Sequence, residues 1–157
     1  MSVNIGEAAE EYENSPPQPA ECQSAINLTE YWRNVNAGTG IRPPGGLNCD
    51  TRDMNINYPD RPWFRFVGDA GNIMLNSCPP SQSCGASAGI WTDAEMPSAV
   101  GESTEISAFA SYIGICKSKT WSILVMRCSY DTSYEFIYRY NEDFINCYYS
   151  FCGISQS

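Results

Sequence analysis

The chain predicts a mainly β fold: a small, disulfide-stapled, antiparallel β-sandwich-like domain with long loops. Three observations carry this reading. Eight cysteines (Cys22, Cys49, Cys78, Cys84, Cys116, Cys128, Cys147, Cys152) are spread over 157 residues. That even count reads as a disulfide framework from an oxidising compartment. Residues Tyr134 to Tyr140 alternate with a period of two, placing Tyr134, Phe136, Tyr138 and Tyr140 on one strand face and Glu135, Ile137 and Arg139 on the other. No segment shows the 3.6-residue period of a long helix.

Composition sets the outer bounds. Hydrophobic residues make up 43% of the chain, enough for a core and too many for wholesale disorder. The net charge of -9, from 18 acidic against 9 basic residues, would repel nucleic acid and anionic lipid headgroups. No apolar run approaches the ~20 residues of a transmembrane helix, so membrane insertion by this chain is not expected. Residues 1–20 lack a basic stretch followed by an apolar one, so they do not read as a signal peptide. Export is an inference from the cysteines.

Taken in order, residues 1–21 form an acidic, Pro-rich tail or linker, with Glu7, Glu10, Glu11 and Glu13 ahead of Pro16, Pro17 and Pro19. The folded unit is placed at 22–152, followed by a short C-terminal tail, 153–157. Asn27-Leu28-Thr29 is an N-glycosylation sequon, beside an apolar patch of Leu28, Tyr31 and Trp32 that suits a short strand or one helical turn. Residues 36–46 read as a turn-rich loop, and 51–62 as polar and irregular. Trp63 to Val67 is an aromatic strand, and Gly68 to Gly71 a turn. Ile73 to Leu75 is a second buried segment, followed by a loop anchored at Cys78 and Cys84. Residues 85–102 are expected to be mostly loop, with Trp91 a plug over the core. Ile106 to Cys116 reads as a strand. Trp121 to Cys128, the most hydrophobic run, reads as a central strand. Cys147 to Cys152 is a short aromatic segment in which Tyr148, Tyr149 and Phe151 cannot all face inward.

These residues resemble the eight-cysteine (in its longer form ten-cysteine) domain of the uromodulin and pancreatic zymogen-granule membrane glycoprotein family. The resemblance is carried by Cys49-Asp50, Trp63-Phe64-Arg65-Phe66, Gly68, Ala70-Gly71, Met74, and Cys78 with Cys84. Trp91, Pro97, Gly101, Val125 with Cys128, Tyr138, and Cys147 with Cys152 continue it. Cys22, Leu28 and Trp32-Arg33 fit the leading segment. It spans Cys22 to Cys152. It implies the disulfides Cys22–Cys128, Cys49–Cys147, Cys84–Cys152 and Cys78–Cys116, whereas spacing alone permits many other pairings. Ala108 and Ile115 stand where the longer form has two further cysteines, as expected if one bridge was lost.

The resemblance also implies an extracellular module that displays an N-glycan to a bacterial adhesin. In the family that glycan follows the strand equivalent to Tyr134–Tyr140. Here Tyr140-Asn141-Glu142-Asp143 is not a sequon, and Asn27 offers a glycan at a different place.

Catalysis is not expected. The absence of histidine removes Ser-His-Asp and Cys-His chemistry and the commonest metal ligand. Without a CxxC pair a zinc site is not expected. Asp50, Asp53 and Asp60 lack calcium-loop spacing and read as solvated loop carboxylates. Pairs such as Asp93 with Glu95, or Glu142 with Asp143, would need a cleft to act as a glycosidase does. No cofactor is implied. Arg65 and Asp69 are placed to pair across the Gly68 turn. The expected function is an extracellular, non-catalytic recognition or adhesion module. Its expected partner is a carbohydrate-binding or other extracellular protein, and the alternative is a purely structural spacer.

Overall fold

The computed structural model describes residues 18–43, 46–50, 61–131, 134–142 and 148–156. A short helix, α1 (Ala20–Ser24), straddles the expected start of the folded unit. The strands follow as β1 (Ile26–Leu28), β2 (Phe64–Phe66), β3 (Ile73–Met74), β4 (Ala88–Trp91), β5 (Ser103–Tyr112), β6 (Ile115–Arg127), β7 (Phe136–Tyr140), β8 (Tyr149–Phe151) and β9 (Gly153–Ile154). Single 3-10 turns lie at Tyr31–Arg33, Val35–Ala37 and Gly68–Ala70. The described part is thus mainly β. Seven strands form one sheet in the order β1-β2-β7-β6-β5-β4-β8, and β3 pairs with β9 in a separate ribbon. The central pairings are antiparallel, but both outermost ones, β1 with β2 and β4 with β8, are parallel.

The alternation of β7 places its aromatics on the principal core face. Tyr138 stands opposite Val125 on one side and Phe64 on the other. Phe64, Phe66, Tyr138, Tyr140 and Phe151 are at most 1% exposed, with Phe64 and Phe151 ring centroids 4.7 Å apart. The ribbon closes this face: the Met74 N–H donates to the Tyr138 Oη at 3.0 Å. Burial pushes the Tyr138 phenol well above its ordinary pKa, despite that hydrogen bond. It therefore stays a neutral acceptor.

The opposite face is covered at its two ends only, with Ser103, Glu105, Ser107 and Thr120 exposed between them. Ile137 is fully buried with Met126 and the Cys22–Cys128 bridge, while Trp91, Phe109, Leu75 and the Cys84–Cys152 bridge fill the other end. Where both faces are covered, as at these ends, apolar residues are needed at both phases of the alternation.

Two further departures concern the middle of the chain. The strand expected over Ile106–Cys116 is a hairpin: β5 ends at Tyr112, the turn is Ile113-Gly114, and Cys116 lies on β6. Both turn residues have positive φ, +49° and +73°. This is the geometry for which Asn-Gly is the usual signal and in which a β-branched residue is uncommon. Register then separates Ala108, opposite Trp121, from Ile115, opposite Tyr112. Six residues of β6 span about 20 Å at ~3.3 Å per residue. One disulfide reaches only ~7 Å between Cα atoms, so these positions are not the two halves of a single lost bridge.

The region expected to be loop around Trp91 contains β4, all four of whose residues are buried. It includes small residues because the Cys84–Cys152 sulfurs lie against it. A Cβ on Gly89 would come 2.5 Å from the Cys152 Sγ. Trp91 packs on Phe109 and donates its Nε1–H to the Cys116 carbonyl. Gly89→Ala is expected to destabilise the domain by about 1–3 kcal/mol through overpacking, read as a lower denaturation midpoint at unchanged slope.

Candidate functional site

A buried ion pair stands at one edge of the large sheet. Trp32-Arg33 sits in a 3-10 turn that docks on the 83–85 loop. Gly85, at φ +76°, is the contact point, since a Cβ there would run into the Trp32 ring. This fixes Arg33, 3% exposed, beside Asp50, 0% exposed. The guanidinium binds the carboxylate bidentately, Nη1 to Oδ2 and Nη2 to Oδ1, both at 2.7 Å. Asn48 Nδ2 donates to Oδ1 and the Phe151 N–H to Oδ2, each at 2.7 Å. Every acceptor position of Asp50 is thereby used. Burial alone would lower the Arg33 pKa, but Asp50, reinforced by Glu30, reverses this and holds it above the ordinary arginine value.

The arrangement caps a strand. Phe151 lies on β8, which β4 pairs on one side only. Its outward N–H and carbonyl are met by Asp50 and, at 3.5 Å, by Arg33 Nη1. An ion pair stands where a further strand would. Asp50 is therefore a buried structural carboxylate, which corrects the expectation of a solvated one. Asp53 and Asp60 lie outside the described residues. The Cys49-Asp50 and Trp32-Arg33 doublets are visible in the sequence, but nothing local shows that they meet.

The other acidic candidates do not converge. Asp93 is exposed and pairs with Lys117 at 3.0 Å. Glu142 accepts from the Ser122 N–H, and Asp143 lies outside the described residues. Among the described residues no three His, Cys, Asp or Glu side chains are grouped to hold a metal ion. Arg65 does not pair with Asp69: its guanidinium lies 5.6 Å from the Tyr134 ring centroid.

The cysteines occupy three described bridges: Cys22–Cys128, Cys78–Cys116 and Cys84–Cys152. Cys49 is disulfide-bonded, and Cys147 lies outside the described residues. Cys22–Cys128 and Cys84–Cys152 are buried in the two clusters opposite the aromatic face, while Cys116 is exposed. Asn27 is in the middle of β1, an edge strand whose register sets it opposite Arg65. Asn27 and Thr29 are exposed and the intervening Leu28 is buried, so the sequon faces solvent while its central residue anchors it.

An aromatic FRF strand running into a Gly68–Ala70 turn, with cysteines bridged across a mixed sheet, matches the model of the uromodulin-like eight-cysteine domain over residues 64–153. The chain belongs to that family. The match begins at β2 and ends in β9. The sequon, Arg33 and Asp50 precede it, so the Arg33–Asp50 pair ties this leading segment to the matched part. The chain is also 31% identical over 111 residues to uromodulin of Rattus norvegicus and 28% identical over 107 residues to uromodulin of Mus musculus. Each alignment covers 68% of this chain and 15% of the relative. The uromodulin-like domain here thus corresponds to a small part of those proteins. Among the described residues no helix is long and apolar enough to cross a membrane.

Proposed function

We propose that this uromodulin-like domain is an extracellular, non-catalytic recognition module that presents an N-glycan at Asn27 to a carbohydrate-binding protein. One observation carries the reading: the sequon lies on an edge strand with Asn27 and Thr29 exposed and Leu28 buried between them. A glycan attached there leaves the core untouched while β2 holds its anchoring backbone rigid. Disulfides buried on the second face support an oxidising, extracellular setting. A non-catalytic role is supported by Asp50, whose oxygens are saturated and can accept no substrate proton.

Secretion from a eukaryotic cell, glycosidase treatment and binding to mannose-specific lectins test this. The expected result is one glycosidase-sensitive mobility shift and lectin capture, both abolished by Asn27→Gln with no change in thermal midpoint. An unoccupied Asn27 would sink the proposal. Under the spacer reading, Asn27→Gln would change no interaction.

A further inference from the structure

A second site lies away from Asn27, where the distal end of the β5–β6 hairpin meets the start of β8. A cleft of about 370 Å³ is lined there by Tyr112, Ser118, Lys119, Tyr148 and Tyr149. That volume falls within the ~300–1,000 Å³ of small-ligand sites, which combine aromatic walls with a few placed polar groups. We infer that this cleft binds an anionic saccharide, with the tyrosine rings stacking on the sugar and Lys119 neutralising its carboxylate or sulfate.

The rings are exposed to a degree that packing does not explain. Tyr112 is 41% and Tyr148 58% exposed, against 6% for Tyr149. Tyr149 is held from beneath by Trp121, with centroids 4.6 Å apart, and stands at 89° to Tyr148. One ring is thus fixed as a floor and a second stands upright beside it. Trp121 and Tyr149 meet because the intervening strands carry Ala88, Ala108 and Ala110 on that face, leaving the space above the alanines to the larger rings. Neither the Tyr112 nor the Tyr148 hydroxyl has a hydrogen-bond partner among the described residues. Such rings offer an apolar face and a free polar tip, the combination a sugar ring presents in return.

Charge selects the ligand class. The chain has two lysines, both on this stretch of β6, in a protein of net charge -9. Lys117 is engaged by Asp93 and the Phe109 ring. Lys119 is exposed and meets no carboxylate among the described residues. An ammonium that meets no carboxylate among the described residues, at the rim of an aromatic cleft, favours an anion there and disfavours a cation. The chain's net charge of -9 disfavours a general polyanion surface, so a compact acidic sugar suits the cleft better than a long polyanion.

The test uses the whole chain in isotope-edited NMR titrations with 3′-sialyllactose, a heparin-derived disaccharide, lactose, and an acidic peptide. The expected result is saturable shifts at Tyr148 and Lys119 with an acidic sugar, at least about five-fold stronger than with lactose. Tyr148→Ala should abolish binding, while Lys119→Gln should bring the acidic sugar and lactose to parity. Both side chains are exposed, so both variants should keep the parent melting temperature. Equal affinity for lactose in the parent, binding that survives both substitutions, or binding of the acidic peptide without either acidic sugar would each overturn the assignment.

Discussion

Arg33→Met is expected to cost about 3–5 kcal/mol of folding stability, because it leaves Asp50 ionised in the interior without its cation. Guanidinium denaturation with the disulfides intact measures this. Arg33→Met with Asp50→Leu should recover part of the loss, since removing both charges removes the uncompensated one. It should fall short of the parent, because the Phe151 N–H then has no acceptor, an orphan that costs about 1–3 kcal/mol. Arg33→Lys should be costly too: a point charge cannot bind both Asp50 oxygens and also Glu30. A loss below about 1 kcal/mol for Arg33→Met would mean that the pair behaves as a surface ion pair and does not cap β8.

Removal of the Cys22–Cys128 bridge as Cys22→Ala with Cys128→Ala should be the most damaging of the described disulfide deletions. The two residues are 106 apart in sequence, for which the chain-entropy model gives about 4–5 kcal/mol. The bridge also fills the cluster with Met126 and Ile137, so its loss removes packing as well. Cys78–Cys116 closes only 38 residues, about 4 kcal/mol in the same model, and Cys116 is exposed. Its deletion should be better tolerated. Mild reduction followed by alkylation and peptide mapping should label Cys78 and Cys116 before Cys22, Cys128, Cys84 or Cys152. Earlier labelling of Cys22 or Cys128 would contradict the buried placement.

Several elements were legible because their signal is local. The Phe64–Phe66 strand, the turn at Gly68, the Trp121–Arg127 half of β6, and β7 follow from alternation, apolar runs and glycine. The expectation that one of Tyr148, Tyr149 and Phe151 faces outward holds, and Tyr148 is that residue. β4 escaped because Ala88-Gly89-Ile90-Trp91 looks like a weak strand by composition. Its glycine and alanine are required by sulfur atoms and large rings that belong to distant parts of the chain. The hairpin turn escaped because Ile113-Gly114 is an unusual pair for that geometry.

The amino-acid sequence by itself determined the mainly β class, the family, the aromatic face of β7 and the presence of a sequon at Asn27. Each rests on short-range periodicity or on a motif of adjacent residues. Only the tertiary structure decided that the second face of the sheet is covered at its two ends and that the outer pairings are parallel. The structure alone also showed that Asp50 and Arg33 replace a strand at the edge of β8, and that Tyr112, Lys119 and Tyr148 share one cleft. Those properties depend on register and on contacts across as many as 118 residues, as between Arg33 and Phe151. A side chain's role in them is set by its neighbour in space, which local pattern does not encode.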